Sequence, residues 1–428
     1  MKHRSLRATL ILVALTMLST SVQAAGLELR EQGAVAISMA DAVTARCEDA
    51  STVYFNPAGM GFLDGLELTI GATLAMPKWT WKDPDGNFDD ATNTNRVQPI
   101  PHLYASYNIN DMFAVGLSFN VPMGMRIEWP SDWAGKHLGT ASSMAMYMVN
   151  PSFSIRPLDN LSIGVGIQII PATLEISRRM GFVTENGSIT SGDIDLAGFG
   201  FGVGGNFGIM YRPTDWLHLG FTYRSRVNIE FDGDAHFDIP DSVTDRSIFH
   251  DQKIKGDVTL PDIMVFGIGV SFAKDFYIEF DLDVSLWSTI ENLTIAFPDD
   301  ESGQLTQPST RDWMDVLTPR LGFEWHALDL PRHDLWVRLG GGWDMVASPT
   351  HTLDPLLPDA EHAYVTAGIG YRYEPWRFQI DVGYMLSMLL DRTVDENSCS
   401  GDTCNSFAQS YDGSHIHLLA VDLSVAFF

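Results

Sequence analysis

Beyond residue 63, apolar and polar positions alternate along this chain with a period of two. Over 276–286, one face reads Phe276, Ile278, Phe280, Leu282, Val284 and Leu286, and the other carries Glu279, Asp281, Asp283 and Ser285. Over 378–388, Phe378, Ile380, Val382, Tyr384, Leu386 and Met388 stand against Gln379, Asp381, Gly383 and Ser387. Segments 161–169, 199–211, 217–232 and 365–373 behave alike. Period two is the signature of a strand with unlike surroundings on its two faces. The apolar face runs for about ten residues, which a tilted strand needs to cross a bilayer. Strands of a soluble sandwich are nearer five or six.

The connections alternate as well. Short turn-rich links stand at 108–111, 157–160, 213–215, 273–275 and 374–376, with a longer one at 328–334. Long polar stretches lie between them at 83–99, 122–140, 179–195, 233–256, 298–312, 346–361 and 391–413. Short turns on one side and long loops on the other predict an all-β fold, a transmembrane antiparallel β-barrel of about 14 strands. Closure removes the unpaired edges that lipid cannot solvate.

Residues 25–63 break the alternation. The stretch 31–45 is Ala-rich with helical spacing at Val35, Met39 and Val43. It is read as part of a small hatch packed in the lumen, giving a signal peptide (1–24), an N-terminal hatch (25–63) and a barrel (64–428). Glycines repeat on single strand faces: Gly164 and Gly166; Gly200, Gly202, Gly204 and Gly208; Gly368 and Gly370. Glycine in a strand marks a bend or a close approach to the backbone, and a plug is one thing that could approach.

Composition adds an address. Lys2, Arg4 and Arg7 precede an apolar run from Ala8 to Leu18 and a small-x-small pattern at Val22-Gln23-Ala24. That is the layout of a secretory signal peptide. Removing it takes the chain from a net charge of −27 to 24 basic against 54 acidic residues, or −30. Such a surface repels nucleic acid. No later segment offers about 18 uninterrupted apolar residues, so no helical span is expected.

At the hatch the motifs become specific. Glu48-Asp49-Ala50-Ser51 followed by Asn56-Pro57-Ala58-Gly59-Met60 resembles the hatch signature of the FadL/TodX family of outer-membrane transporters. Thr222-Tyr223-Arg224-Ser225, Leu260-Pro261-Asp262, Trp287-Ser288, Ser348-Pro349 and Asp381-Val382-Gly383-Tyr384 fall in the family's order, so the likeness spans nearly the whole mature chain. The resemblance implies passive transport of long-chain fatty acids or aromatic hydrocarbons. Outer loops would catch the ligand and an apolar lumenal pocket would hold it. Movement of the mature N-terminus at Ala25, Gly26 and Leu27 would open the path, and Asn56, Pro57, Ala58 and Gly59 would form the gating turn. The ligand would leave sideways beside a kinked strand. It implies no cofactor, no metal and no enzymatic step; the partners are an apolar ligand and outer-membrane lipid, with a monomer expected. Arg178 stands where fatty-acid members place an arginine suited to a carboxylate, whereas Met314 replaces a lysine. The loop at 179–195 and the long loop after it are short for that family.

The remaining chemistry is sparse. Cys399 and Cys404 share the last outer loop and are expected to form a disulfide; Cys47 is left as a buried thiol. His415 and His417 share a strand face, either as a solvated rim pair or as a metal pair. Phe428 is one place out of register with the face of Leu419, Val421, Leu423, Val425 and Phe427, which suggests a bulge or a frayed end. A general porin and a barrel lipase are the competing readings. The lipase lacks a Gly-x-Ser-x-Gly elbow.

Overall fold

The structure, a computed structural model, describes residues 28–94, 97–184, 186–243, 249–394 and 409–427. The signal peptide, Ala25, Gly26, Leu27, Cys399, Cys404 and Phe428 lie outside the described residues. Fourteen antiparallel strands follow one another and close on themselves. They are β1 (Leu66–Lys78), β2 (Gln98–Asn108), β3 (Phe113–Glu128), β4 (Ala141–Leu158), β5 (Leu161–Val183), β6 (Ile189–Thr214) and β7 (Leu217–Arg224 and Val227–Asp238). Then come β8 (Gln252–Leu260 and Ile263–Phe272), β9 (Phe276–Ser285 and Asn292–Ala296), β10 (Gln307–Thr310 and Val316–Leu330), β11 (His333–Asp344), β12 (His362–Tyr373), β13 (Phe378–Leu389) and β14 (His415–Phe427). The ring closes where β14 pairs with β1 from Leu66↔Phe427 to Lys78↔His415, without a register shift. The bulge or frayed end expected at Phe428 lies outside the described residues.

Alternation sorts the side chains between two solvents. On β9, Phe280 is 43% exposed on the outer face while Asp281 is fully buried inside. Trp216 and Trp376 stand exposed at the short-turn end, where amphipathic rings suit a membrane interface.

Two expectations change. Segment 179–195 is mostly strand, because β5 runs to Val183 and β6 starts at Ile189. There the polarity is inverted. Arg179 and Asp193 pair on the outside at 2.7 Å, while Phe182, Ile194 and Leu196 pack inside. Strand backbone needs only a ladder, so a polar outer face above the lipid reads as loop in the sequence. Residues 122–128, 233–238 and 252–256 belong to strands for the same reason.

The second change is that β7 is not continuous over 217–232. The Gly205 N–H donates to the Ser225 hydroxyl at 2.9 Å, and the Arg226 N–H donates to the Asp262 carboxylate at 2.9 Å. Side chains thus take donors from the ladder, and Pro261 has none to give. The family-like motifs at Ser225, Leu260-Pro261-Asp262 and Trp287 all fall at such breaks. Above the barrel, Thr80–Lys82, Ala91–Thr92, Arg392–Val394 and Gln409–Tyr411 form a small sheet. It packs Trp81, Trp129, Trp133 and Tyr411 against Leu353 and Leu356.

Candidate functional site

Residues 28–63 lie against inward-facing side chains of the barrel. The helix expected over 31–45 is only Ala34–Ser38, because the chain reverses through positive φ at Ala40 and Asp41 (56° and 59°). Its backbone donors are then taken by the wall. The Ala34 N–H donates to Asp422 at 2.7 Å, those of Val43 and Thr44 to Asp281 at 3.1 Å each, and that of Ala45 to Glu279 at 2.5 Å. Ion pairs add to this: Arg30–Asp283 at 2.8 Å and Arg46–Glu324 at 2.9 Å, with Arg338 joining Glu324 to Asp381.

Asn56, Pro57, Ala58 and Gly59 form one buried turn. The Asn56 amide donates to the carbonyls of Thr44 (2.8 Å) and Ile209 (3.1 Å), and its oxygen accepts from the Ala58 N–H. Pro57 opens the 3₁₀ turn Pro57–Phe62, where its lack of an N–H costs nothing. The glycine reading divides. A Cβ on Gly164 would stand 2.3 Å from the Pro57 carbonyl carbon, one on Gly208 2.2 Å from Asn56, and one on Gly368 1.8 Å from Ser38. Gly200, Gly202 and Gly204 instead face Val227, Ile229 and Phe231 across the broken strand. They lie in or beside the stretch of β6 between Phe201 and Asn206 that has no ladder partner on β7.

The wall has a window. β2 and β3 pair only up to Leu103↔Phe119, and β3 bulges between Asn120 and Met123. Between Gln98 and His102, β2 pairs with β1. The N-terminal segment covers this stretch of β3. The Leu29 N–H donates to the Pro122 carbonyl at 2.8 Å, Glu28 bridges Met123, and the Gln32 amide bonds both backbone groups of Val121. Tyr104 holds the Gln32 carbonyl from β2.

Above the segment the lumen is apolar, with Met123, Met144, Met146, Met148, Ile170, Phe231, Leu260, Trp287 and Trp313 in one cluster with Tyr54 and Phe55. Methionine packs around varied shapes. The cavity beside Tyr54, Phe55, Arg224 and Asn206 measures ≈20 Å³, room for about one water. Movement is needed before anything larger passes.

Arg178 lies near the outer end of β5, with Arg311 and Asp354 as its charged neighbours. Arg311 pairs with Asp354 at 2.8 Å. The Nε groups of both arginines are buried without hydrogen-bond partners. Burial works against the charge of Asp354, yet Arg311, the Leu356 N–H and Arg178 hold its carboxyl below the usual range. Two cations therefore face one anion. The sequence pointed to Met314 as a lost cation and missed Arg311, three residues earlier; only folding brings Arg311 to Arg178. Met314 itself lies at the break of β10, its N–H bonded to the Ala347 carbonyl.

The other candidates are structural. His417 bonds Tyr384 at 2.6 Å and His415 the Gly413 carbonyl. Among the described residues, no group of three or more His, Cys, Asp or Glu side chains could hold a metal. Cys47 is buried against Arg212. Burial pushes its thiol up to about 12, with Arg212 opposing. It is therefore protonated and unreactive at neutral pH. A maleimide should leave it unlabelled until the barrel is unfolded; rapid labelling of the native protein would show a mobile segment instead.

Residues 15–427 match the model of the outer membrane protein transport protein family (OMPP1/FadL/TodX). A long-chain fatty acid transport protein of Escherichia coli O6:H1 is 24% identical over 426 residues, covering 91% of this chain and 93% of that protein. The crystal structure of a Pseudomonas aeruginosa FadL homologue superposes with a TM-score of 0.82 at 19% identity, over 94% of this chain and 100% of that one. The P. putida toluene transporter TodX superposes at 0.71 with 17% identity, over 92% and 98%. With the matched family spanning nearly the whole chain and a closed fourteen-strand barrel beneath it, this protein is a member of the OMPP1/FadL/TodX family of outer-membrane transport proteins.

Proposed function

We propose that this protein is a monomeric passive transporter of long-chain fatty acids or hydrocarbons, with residues 25–63 acting as a hatch. The carrying observation is the N-terminal segment lying across the window beside the β3 bulge, directly against the apolar lumen. An apolar solute gains nothing by crossing water. Displacing residues 28–32 would let it pass from the methionine-lined lumen into the outer leaflet. Arg178, with Arg311, supports a carboxylate head group at the outer end of the path. The fatty-acid relative and the toluene transporter mark the two substrate classes this arrangement could serve.

The test is uptake of a labelled fatty acid and of toluene by cells lacking their own transporter, with a sugar as control. Asn56→Ala removes bonds worth about 0.5–1.5 kcal/mol each. It should leave a heat-modifiable barrel and change apolar uptake severalfold, as should deletion of residues 25–30. Arg178→Gln should lower fatty-acid uptake and spare toluene. Unchanged uptake of both probes in the first two variants, at normal barrel levels, removes the hatch from the mechanism. A gain in sugar permeability alone would favour a porin.

A further inference from the structure

The lumenal face of the wall changes character abruptly below the methionines. On β4 it reads Met144, Met146 and Met148, then Asn150, Ser152 and Ser154, all buried. β3 repeats the switch from Met123 to Asn120 and Ser118. β6 adds Asn206 beside the cavity at Tyr54 and Phe55.

These side chains are left unsatisfied by the protein. Both amide atoms of Asn150, the amide oxygens of Asn120 and Asn206, and the hydroxyls of Ser118, Ser152 and Ser154 are buried without hydrogen-bond partners. Most buried polar atoms are paired, and each one that is not needs a reason. The atoms also converge. A Cβ placed on Gly166 would stand 2.4 Å from the Asn206 oxygen, 2.6 Å from the Ser152 hydroxyl and 2.7 Å from the Asn150 oxygen. Glycine there leaves room for the three oxygens themselves, which crowd together on the inner face of the wall. The neighbouring cation, Arg224, is already engaged by Gln168 and the Tyr54 carbonyl.

We infer that Asn150, Ser152 and Asn206 form a subsite for the hydroxyl of a hydrophobic alcohol or phenol, whose apolar body lies against Met146 and Met148. The inference rests on the transport reading above and names a further substrate class for the same path. Amide oxygens only accept, so the ligand must bring a donor. An alkane, an arene or an ionised carboxylate has none. A hydroxyl donates to an amide oxygen and accepts from the Asn150 NH₂ or the Ser152 hydroxyl.

The experiment compares initial uptake of tritiated 1-decanol and decane by transporter-deficient cells producing the full-length protein. Decanol should enter about tenfold faster than decane above the empty-cell background, the worth of one or two such bonds. Asn150→Leu and Ser152→Ala should bring the ratio toward one while decane uptake stays put. A decanol bearing a diazirine beside its hydroxyl should label peptides containing residues 150–152 or 206 of the unaltered protein, which covers the case of a variant that fails to assemble. Labelling elsewhere, or an unchanged ratio in both variants at normal barrel levels, overturns the subsite. Equal entry of the two probes in the unaltered protein sinks the subsite and leaves hydrophobic transport standing. Entry of neither sinks both.

Discussion

Replacing Asp281 and Asp422 together by alanine should loosen residues 34–45 while the barrel stays folded. Asp281 accepts the N–H groups of Val43 and Thr44, and Asp422 accepts that of Ala34 and pairs with His102 at 2.7 Å. The double variant strands three buried backbone donors, each costing about 1–3 kcal/mol. It also removes the Asp281 carboxylate near Arg30, a smaller effect. The sum is enough to raise the open population of the segment by roughly a hundredfold or more. Hydrogen exchange at Ala34, Val43 and Thr44 should accelerate accordingly, and protease should clip the segment in outer-membrane preparations. Asp281→Asn with Asp422→Asn keeps an acceptor at both places and should restore most of the protection. If exchange at these amides is unchanged in the alanine variant, the wall is not what holds the segment.

Phe280→Asp and Val382→Asp should each sharply reduce the amount of folded barrel in the membrane. Both side chains point outward from the middle of their strands, β9 and β13. A carboxylate facing lipid costs on the order of 1–4 kcal/mol with depth, and apolar contact with lipid is lost besides. The neighbours Asp281→Asn and Asp381→Asn, one residue away on the inner face, should assemble at normal levels. Heat-modifiable mobility on gels reads the folded fraction. Assembly blocked by the inner pair but not the outer pair would mean the strands are out of register by one, since a one-residue slip exchanges the two faces.

Much of the barrel was legible because its cause is local. The pleat sends successive side chains to opposite faces, and the two faces meet lipid and lumen, so Phe276–Ser285 and Phe378–Leu389 announce themselves from the alternation alone. The alternation weakens as a guide where the outer solvent changes to water. That is why the upper parts of β5 and β6, with Arg179 and Asp193 outside and Phe182 inside, read as loop. The helix expected over 31–45 shrank to five residues for a related reason. Apolar spacing at Val35, Met39 and Val43 records burial, and burial inside a barrel needs no helix once the wall supplies acceptors.

The strand faces, the short and long ends of the barrel, the anomalous N-terminal segment and the motif at Asn56-Pro57 are therefore all readable along the chain. Folding alone decided what that segment touches. Asp281 lies 237 residues from Thr44, Asp283 lies 253 from Arg30, and Asp422 lies 388 from Ala34. No spacing rule spans such distances, because closure of the ring brings them together. The window beside β3 and the breaks in β7 to β10 also belong to tertiary structure. A strand gives up its ladder only where a particular neighbour, such as Ser225, Asp262 or Gln32, takes the backbone donors or acceptors in its place.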